Sequence, residues 1–203
     1  MYGLTKEELK ILKKLNTPKK IQDFLETLKI NFEENGDTCV SPRIVLQEKK
    51  AHCIEAALLA ALALRLQGEK PLIVDLTAVD NDFDHVIAVF KKHGCWGAIS
   101  KSNHAVLKYR EPIYKNIREL IMSYFHEYFL DDGKKNLRSY SLPVNLAKFD
   151  KKGWMTDDKD VWYIPEHLCK IPHFKILNRK QISSLRKADD IEIKAGKLVR
   201  WKG

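Results

Sequence analysis

Cys53 follows Lys49-Lys50-Ala51-His52 and opens the stretch Ile54-Glu55 and Ala56 to Leu64, which apart from Glu55 is built of Ala, Leu and Ile. A run so rich in Ala and Leu predicts a helix that is apolar nearly all round and therefore buried, with Cys53 in its first turn. The N–H groups of a first turn lack intrahelical acceptors and form the positive end of the helix dipole, so they favour an anion beside them. A thiolate at such a position is a nucleophile. The competing reading is that a free Cys packs as a small hydrophobe, and Lys50-Ala51-His52 supplies no Ser, Thr or Asp as helix cap.

The elements after the helix decide how Cys53 is used. Gly68 ends the helix, residues 71–77 predict a buried strand and Asp80 to Asp84 a turn. A strand over residues 85–90, a turn over 91–94 and a strand over 95–100 follow. His85 thus stands at the mouth of a strand, 32 residues after Cys53. A sheet packed on the helix brings the two side chains together, and sequence distance is no obstacle to a Cys/His pair.

This order resembles the transglutaminase-like superfamily, a circularly rearranged relative of the papain-like fold, over roughly residues 38–105. The shared pattern is a Cys opening a buried helix, a His beginning a strand, and a third residue four positions after a Trp on the next strand. These are Cys53, His85 and Ser100, the last counted from Trp96. The resemblance implies an α+β fold: a papain-like/transglutaminase-like core whose Cys helix packs on an antiparallel sheet, with extra helices at the N-terminus and after the core. The family usually carries Asp at the third position, to orient the imidazole and stabilise its charged form. Ser100 accepts a hydrogen bond but holds no charge. Asn103 is a substitute orienting residue, and Gln47 an oxyanion donor by analogy with papain-like enzymes. Asp84 adjoins His85 but points to the opposite face of a strand.

The chemistry implied is cysteine-dependent acyl transfer or amide hydrolysis, with a peptide, a protein or an amide-containing small molecule as substrate and no cofactor. The alternative is a catalytically silent member of the fold that binds a peptide, a protein or an anionic polymer through the same cleft. His52, Cys53, His85, His93, Cys95 and His104 are all capable of binding metal, but they form no paired ligand motif, so no metal site is expected. His52 reads as an exposed helix-start residue that adds positive potential when protonated.

At 203 residues, 44% hydrophobic and 31% charged, the chain has the composition of one folded domain. Residues 1–30 form a helical cover, 38–105 the catalytic-type core, and 106–203 a helix followed by an irregular extension. The formal charge of +9 invites a nucleic acid or another anionic partner. Its lysine pairs, such as Lys13-Lys14, Lys91-Lys92 and Lys151-Lys152, are spread along the chain, so nucleic acid is not expected as the main partner. Cys39, Cys53, Cys95 and Cys169 are widely spaced and predict reduced thiols. Met1 to Glu7 lacks the organisation of a signal peptide, and no run of about 18 apolar residues occurs, so no membrane span and a cytoplasmic location are expected.

Elsewhere, Thr5-Lys-Glu-Glu8 forms a capping box ahead of a first helix, and Thr17-Pro18 opens a second. Asn35-Gly36-Asp37 is a turn signal, and Ser41-Pro42 a helix start. Pro112 is read as opening a long helix, lined by Ile113, Ile117, Leu120, Ile121, Tyr124 and Tyr128 and stopped by Asp131-Asp132-Gly133. Beyond Lys134, loops and small strands are expected, including residues 137–142 and 197–201, and Trp154, Trp162 and Tyr163 are candidates to line a substrate groove.

Overall fold

The computed structural model describes residues 2–34 and 36–202; Asn35 of the predicted turn lies outside them. Two capped helices come first. α1 (Lys6–Lys14) starts on a reciprocal box in which Thr5 Oγ1 accepts from Glu8 N at 3.1 Å and Glu8 Oε2 accepts from Thr5 N at 2.7 Å. α2 (Pro18–Thr27) has Thr17 as cap and Pro18 at its first position, where the missing N–H costs nothing. α3 (Pro42–Glu48) leads to α4 (Cys53–Leu66), in which every residue from Ala56 to Leu64 is buried.

The sheet is antiparallel and seven-stranded. β1 (Leu72–Thr77), β2 (His85–Lys92), β3 (Cys95–Ile99) and β4 (Arg110–Tyr114) lie in sequence order, and β5 (Ser139–Ser141) and β7 (His173–Lys175) extend the sheet beyond β1. The short β6 (Val144–Asn145) also pairs with β1. One face of the sheet packs Ile73, Val86, Ala88, Phe90 and Ile99 against α4. The other packs Val74, Leu76, Ile87, Val89 and Ala98 against α5 (Ile117–Phe125). Because both faces are covered, β1 and β2 read as continuous apolar runs rather than alternating ones.

A two-residue turn at His93-Gly94, both at positive φ (51° and 79°), joins β2 to β3 and sets Lys92 opposite Cys95. That register places Ala88 opposite Ile99, which brings Ser100 diagonal to His85 on the same face. Gly97 is needed where it stands, because a Cβ there would meet the Phe90 ring at 2.6 Å and the Arg110 carbonyl at 2.8 Å.

Two expectations are corrected. Pro112 opens no helix: it lies in β4, an edge strand, where a residue without an N–H is tolerated. Arg110, Pro112 and Tyr114 are half-buried while Glu111 and Ile113 are exposed, a period of two. The helix starts later, at Asn116, whose Oδ1 accepts from Glu119 N at 2.9 Å, and it ends at Phe125 rather than at Asp131. The C-terminal third is also more helical than expected, with a 3-10 turn (Leu146–Lys152), α6 (Tyr163–Lys170), α7 (Arg179–Ser183) and α8 (Asp190–Gly196). Asn178/Gln181 and Asp189/Glu192 form capping boxes that account for two of these helices. Residues 197–201 make a single bridge, Val199 with His104, instead of a strand. Among the described residues no helix is long and apolar enough to cross a membrane.

Candidate active site

A cleft of about 310 Å³ opens at the start of α4, with Cys53, His52, His85, Phe83 and Tyr128 in its wall. The entry to α4 is pinned from outside: Lys29 N donates to Lys49 O and Ala51 N to Lys29 O, both at 3.0 Å, which ties the end of α2 to the residues before Cys53. Cys53 is half-buried and reduced. As the first residue of α4 it has no intrahelical acceptor for its N–H, which is left free to donate into the cleft.

His85 reaches the cleft from the first position of β2. Its Nε2 lies 2.7 Å from Ser100 Oγ, and Ser100 Oγ in turn lies 2.6 Å from the carbonyl oxygen of Leu107. A carbonyl only accepts, so the Ser100 hydroxyl hydrogen goes to Leu107 and Ser100 must accept from His85. His85 therefore carries a hydrogen on Nε2, and Nδ1 is the ring nitrogen left to take or give a proton. Ser100 is held by α2, since Gln22 Oε1 accepts from Ser100 N at 3.0 Å and Gln22 Nε2 donates to Ser100 O at 2.8 Å.

His52, on the other side of Cys53, is not the exposed residue expected. Its side chain is mostly buried, and its Nε2 stands 2.9 Å from Thr38 O, 3.3 Å from Glu55 Oε1 and 3.6 Å from Glu33 Oε1. With Nε2 committed to these oxygens, the His52 ring is fixed in place next to Cys53. Glu55 is fully buried and gathers further hydrogens from Thr38 Oγ1 (2.8 Å), His52 N (3.0 Å), Val40 N (3.2 Å) and Asn31 Nδ2 (3.2 Å). Burial raises the pKa of Glu55, but the bonds to His52 and Thr38 outweigh it and hold the carboxyl at about 2.

The same competition sets the other two groups. Burial alone would favour neutral His52, yet its contacts with Cys53 and Glu55 push it up to about 11. Burial likewise opposes ionisation of Cys53, and the imidazoles of His52 and His85 reverse that, bringing the thiol down to about 5. The two imidazoles thus favour the thiolate form of Cys53 against the pull of burial.

The structure thus brings together Cys53, His85 and Ser100, and leaves two other candidates elsewhere. Gln47 is exposed on α3 and lines a separate cleft beside Glu8 and Arg43. Asn103 borders the Cys53 cleft, but its side chain is spent on the backbone of Trp201, with Nδ2 donating to Trp201 O at 3.0 Å and Oδ1 accepting from Trp201 N at 2.9 Å. Asp84 accepts from Ala78 N at 2.9 Å. Of the proposed groove aromatics, Trp154 is fully buried, and neither Trp162 nor Tyr163 borders the Cys53 cleft.

Glu55 and Gln22 were not singled out from sequence. A lone carboxylate inside an otherwise apolar helix, two residues after the nucleophile, was the available signal for Glu55, because a buried charge must be paired. Another buried carboxylate, Asp75 on β1, is raised to about 6 by burial and by Asp84, against the pull of His173 3.1 Å away. Among the described residues no group of three His, Cys, Asp or Glu side chains is placed to hold a metal ion. No protein-family model and no curated protein sequence matches the chain.

Proposed function

We propose that the protein is an enzyme that forms a thioester on Cys53, hydrolysing amides or transferring acyl groups. Within that class we place it with the transglutaminase-like, papain-like cysteine enzymes, on the order Cys helix, His strand and third residue. The observation that carries the reading is the position of Cys53: at the start of a buried helix, in an open cleft, between two imidazoles, one of which has its far nitrogen fixed by Ser100.

The two imidazoles divide the work. His52, held at about 11, keeps its proton at neutral pH and acts as a fixed cation that favours the thiolate. His85 is left to move protons. The Cys53 thiolate attacks the amide carbonyl carbon, and the oxyanion that forms accepts a hydrogen bond from Cys53 N–H at the helix start. His85 delivers the proton taken from the thiol to the departing amine, leaving the acyl group on sulfur. Water or an acceptor amine then gives a proton to His85 as it attacks the thioester, releasing acid or new amide and restoring the thiolate.

Limiting iodoacetamide at pH 5 to 9, with the adduct mapped, tests this reading. Selective alkylation of Cys53, with a rate already near its plateau at pH 7, is the expected result. Indifferent labelling of all four cysteines, or a Cys53 rate that rises only above pH 8, overturns the nucleophile and leaves a binding cleft.

A further inference from the structure

The lysine pairs are scattered, but the net charge is not. Residues 1–133 hold 19 Lys and Arg and 19 Asp and Glu, whereas residues 134–203 hold 17 against 8. The whole excess of +9 therefore belongs to the segment that holds none of His52, Cys53, His85 and Ser100.

Much of it converges on one groove between the β5–β7 end of the sheet and α7. A lobe of about 760 Å³ is walled by Arg138, Lys175 and Arg179, and a second, of about 270 Å³, by Lys134, Arg186 and Lys187. Arg138 and Ile182 border both lobes, so the two adjoin, and no Asp or Glu lines either one. Lys134 pairs with Asp132 and Arg186 with Asp189. Arg138, Lys175, Arg179 and Lys187 have no ion-pair partner among the described residues. Arg138 is half-buried with Nη1 on the carbonyls of Lys135 and Leu137, so its charge is fixed in place. The side-chain amides of Asn178 and Gln181 stand beside the cations of the first lobe.

A wall of guanidinium, ammonium and amide groups without a carboxylate is complementary to phosphate, which accepts from all three. Two lobes sharing one arginine call for anions repeated along a flexible chain. A concave slot suits such a chain better than a flat bilayer, and a single strand better than a rigid duplex.

We propose that this groove binds the phosphodiester backbone of a single nucleic-acid strand, at a site separate from the Cys53 cleft. The two sites share no lining residue. The enzyme reading and this one therefore stand or fall independently.

The test uses the full chain and fluorescein-labelled twelve-nucleotide oligothymidylate, with anisotropy read between 50 and 300 mM KCl. Binding should weaken with salt at about 0.7 in log K per log salt for each phosphate contacted, giving a slope of about −2 to −3. Lys175→Glu with Arg179→Glu, two exposed positions, should lower affinity at least about tenfold at 50 mM and flatten the slope by about 1.4. Arg138→Gln should weaken binding in the same direction. Thermal melting and Cys53 alkylation should be unchanged in the Lys175/Arg179 variant, which separates the result from any failure of the nucleophile. No binding at 50 mM, equal affinity in that variant, or tighter binding to phosphatidylserine vesicles or to polyglutamate than to the oligonucleotide overturns the proposal.

Discussion

The two imidazoles beside Cys53 are held by opposite kinds of partner. His85 leans on a neutral hydroxyl that has already given its hydrogen to Leu107, so its Nε2 is held by no carboxylate. His52 is enclosed by Glu55, Glu33 and a carbonyl, which stabilise one charge state and penalise the other. A single histidine with a carboxylate behind it must both stabilise the thiolate and exchange protons. In the proposed mechanism those demands fall on two side chains, a division that would let a serine occupy the position where the resembling family has an acid.

The division between the two histidines is upset most severely by loss of His85. With p-nitrophenyl acetate as probe, His85→Ala should keep a burst of nitrophenolate from acylation, because His52 still favours the thiolate, while steady-state turnover falls about 10² to 10⁴-fold. An equal loss of burst and turnover would mean that the two histidines are not specialised. Next in size is Glu55→Gln, which leaves His52 without its carboxylate: the midpoint of the Cys53 alkylation profile should move up from near 5 by at least about one pH unit.

The same variant carries a stability signature. Glu55 ionises at about 2 in the fold against an ordinary 4.5, so its contribution is complete above pH 4.5 and drains away as pH falls from there towards 2. The amount is about 3 kcal/mol. Urea midpoints measured from pH 7 down to 2 should drop steeply for the native chain and more gently for Glu55→Gln, which starts lower.

Smaller effects sharpen the other side. Ser100→Ala removes the acceptor for His85 Nε2–H in a buried place, and turnover of the ester should fall about tenfold with the alkylation midpoint nearly unmoved. Gln22→Ala loosens the backbone that presents Ser100, so the same readout should fall by about two- to threefold.

How far these parts could be read in advance follows from where their signals lie. The Cys53 helix and the two strands after it announce themselves locally, through an unbroken apolar run and a turn at His93-Gly94. Glu55 is in plain view in the sequence, but its partners Asn31, Thr38 and Val40 come from a loop whose path no periodicity encodes. Pro112 misled because a proline favours both the first turn of a helix and an edge strand, and only the neighbouring strand decides between them. Gln47 failed for a related reason: α3 precedes Cys53 directly in sequence, yet the left-handed residue Lys49 (φ 55°) redirects the chain before α4 begins.

The grip of Gln22 on Ser100 sets a lower limit on the smallest working piece of this molecule. An excised fragment spanning residues 38–105 would contain the sulfur and both histidines, but neither the Gln22 amide that grips the Ser100 backbone nor the Leu107 carbonyl that takes its hydroxyl hydrogen. Engineering that trims the chain must keep its opening helices, because one of them supplies a part of the proposed reaction centre from seventy-eight residues away.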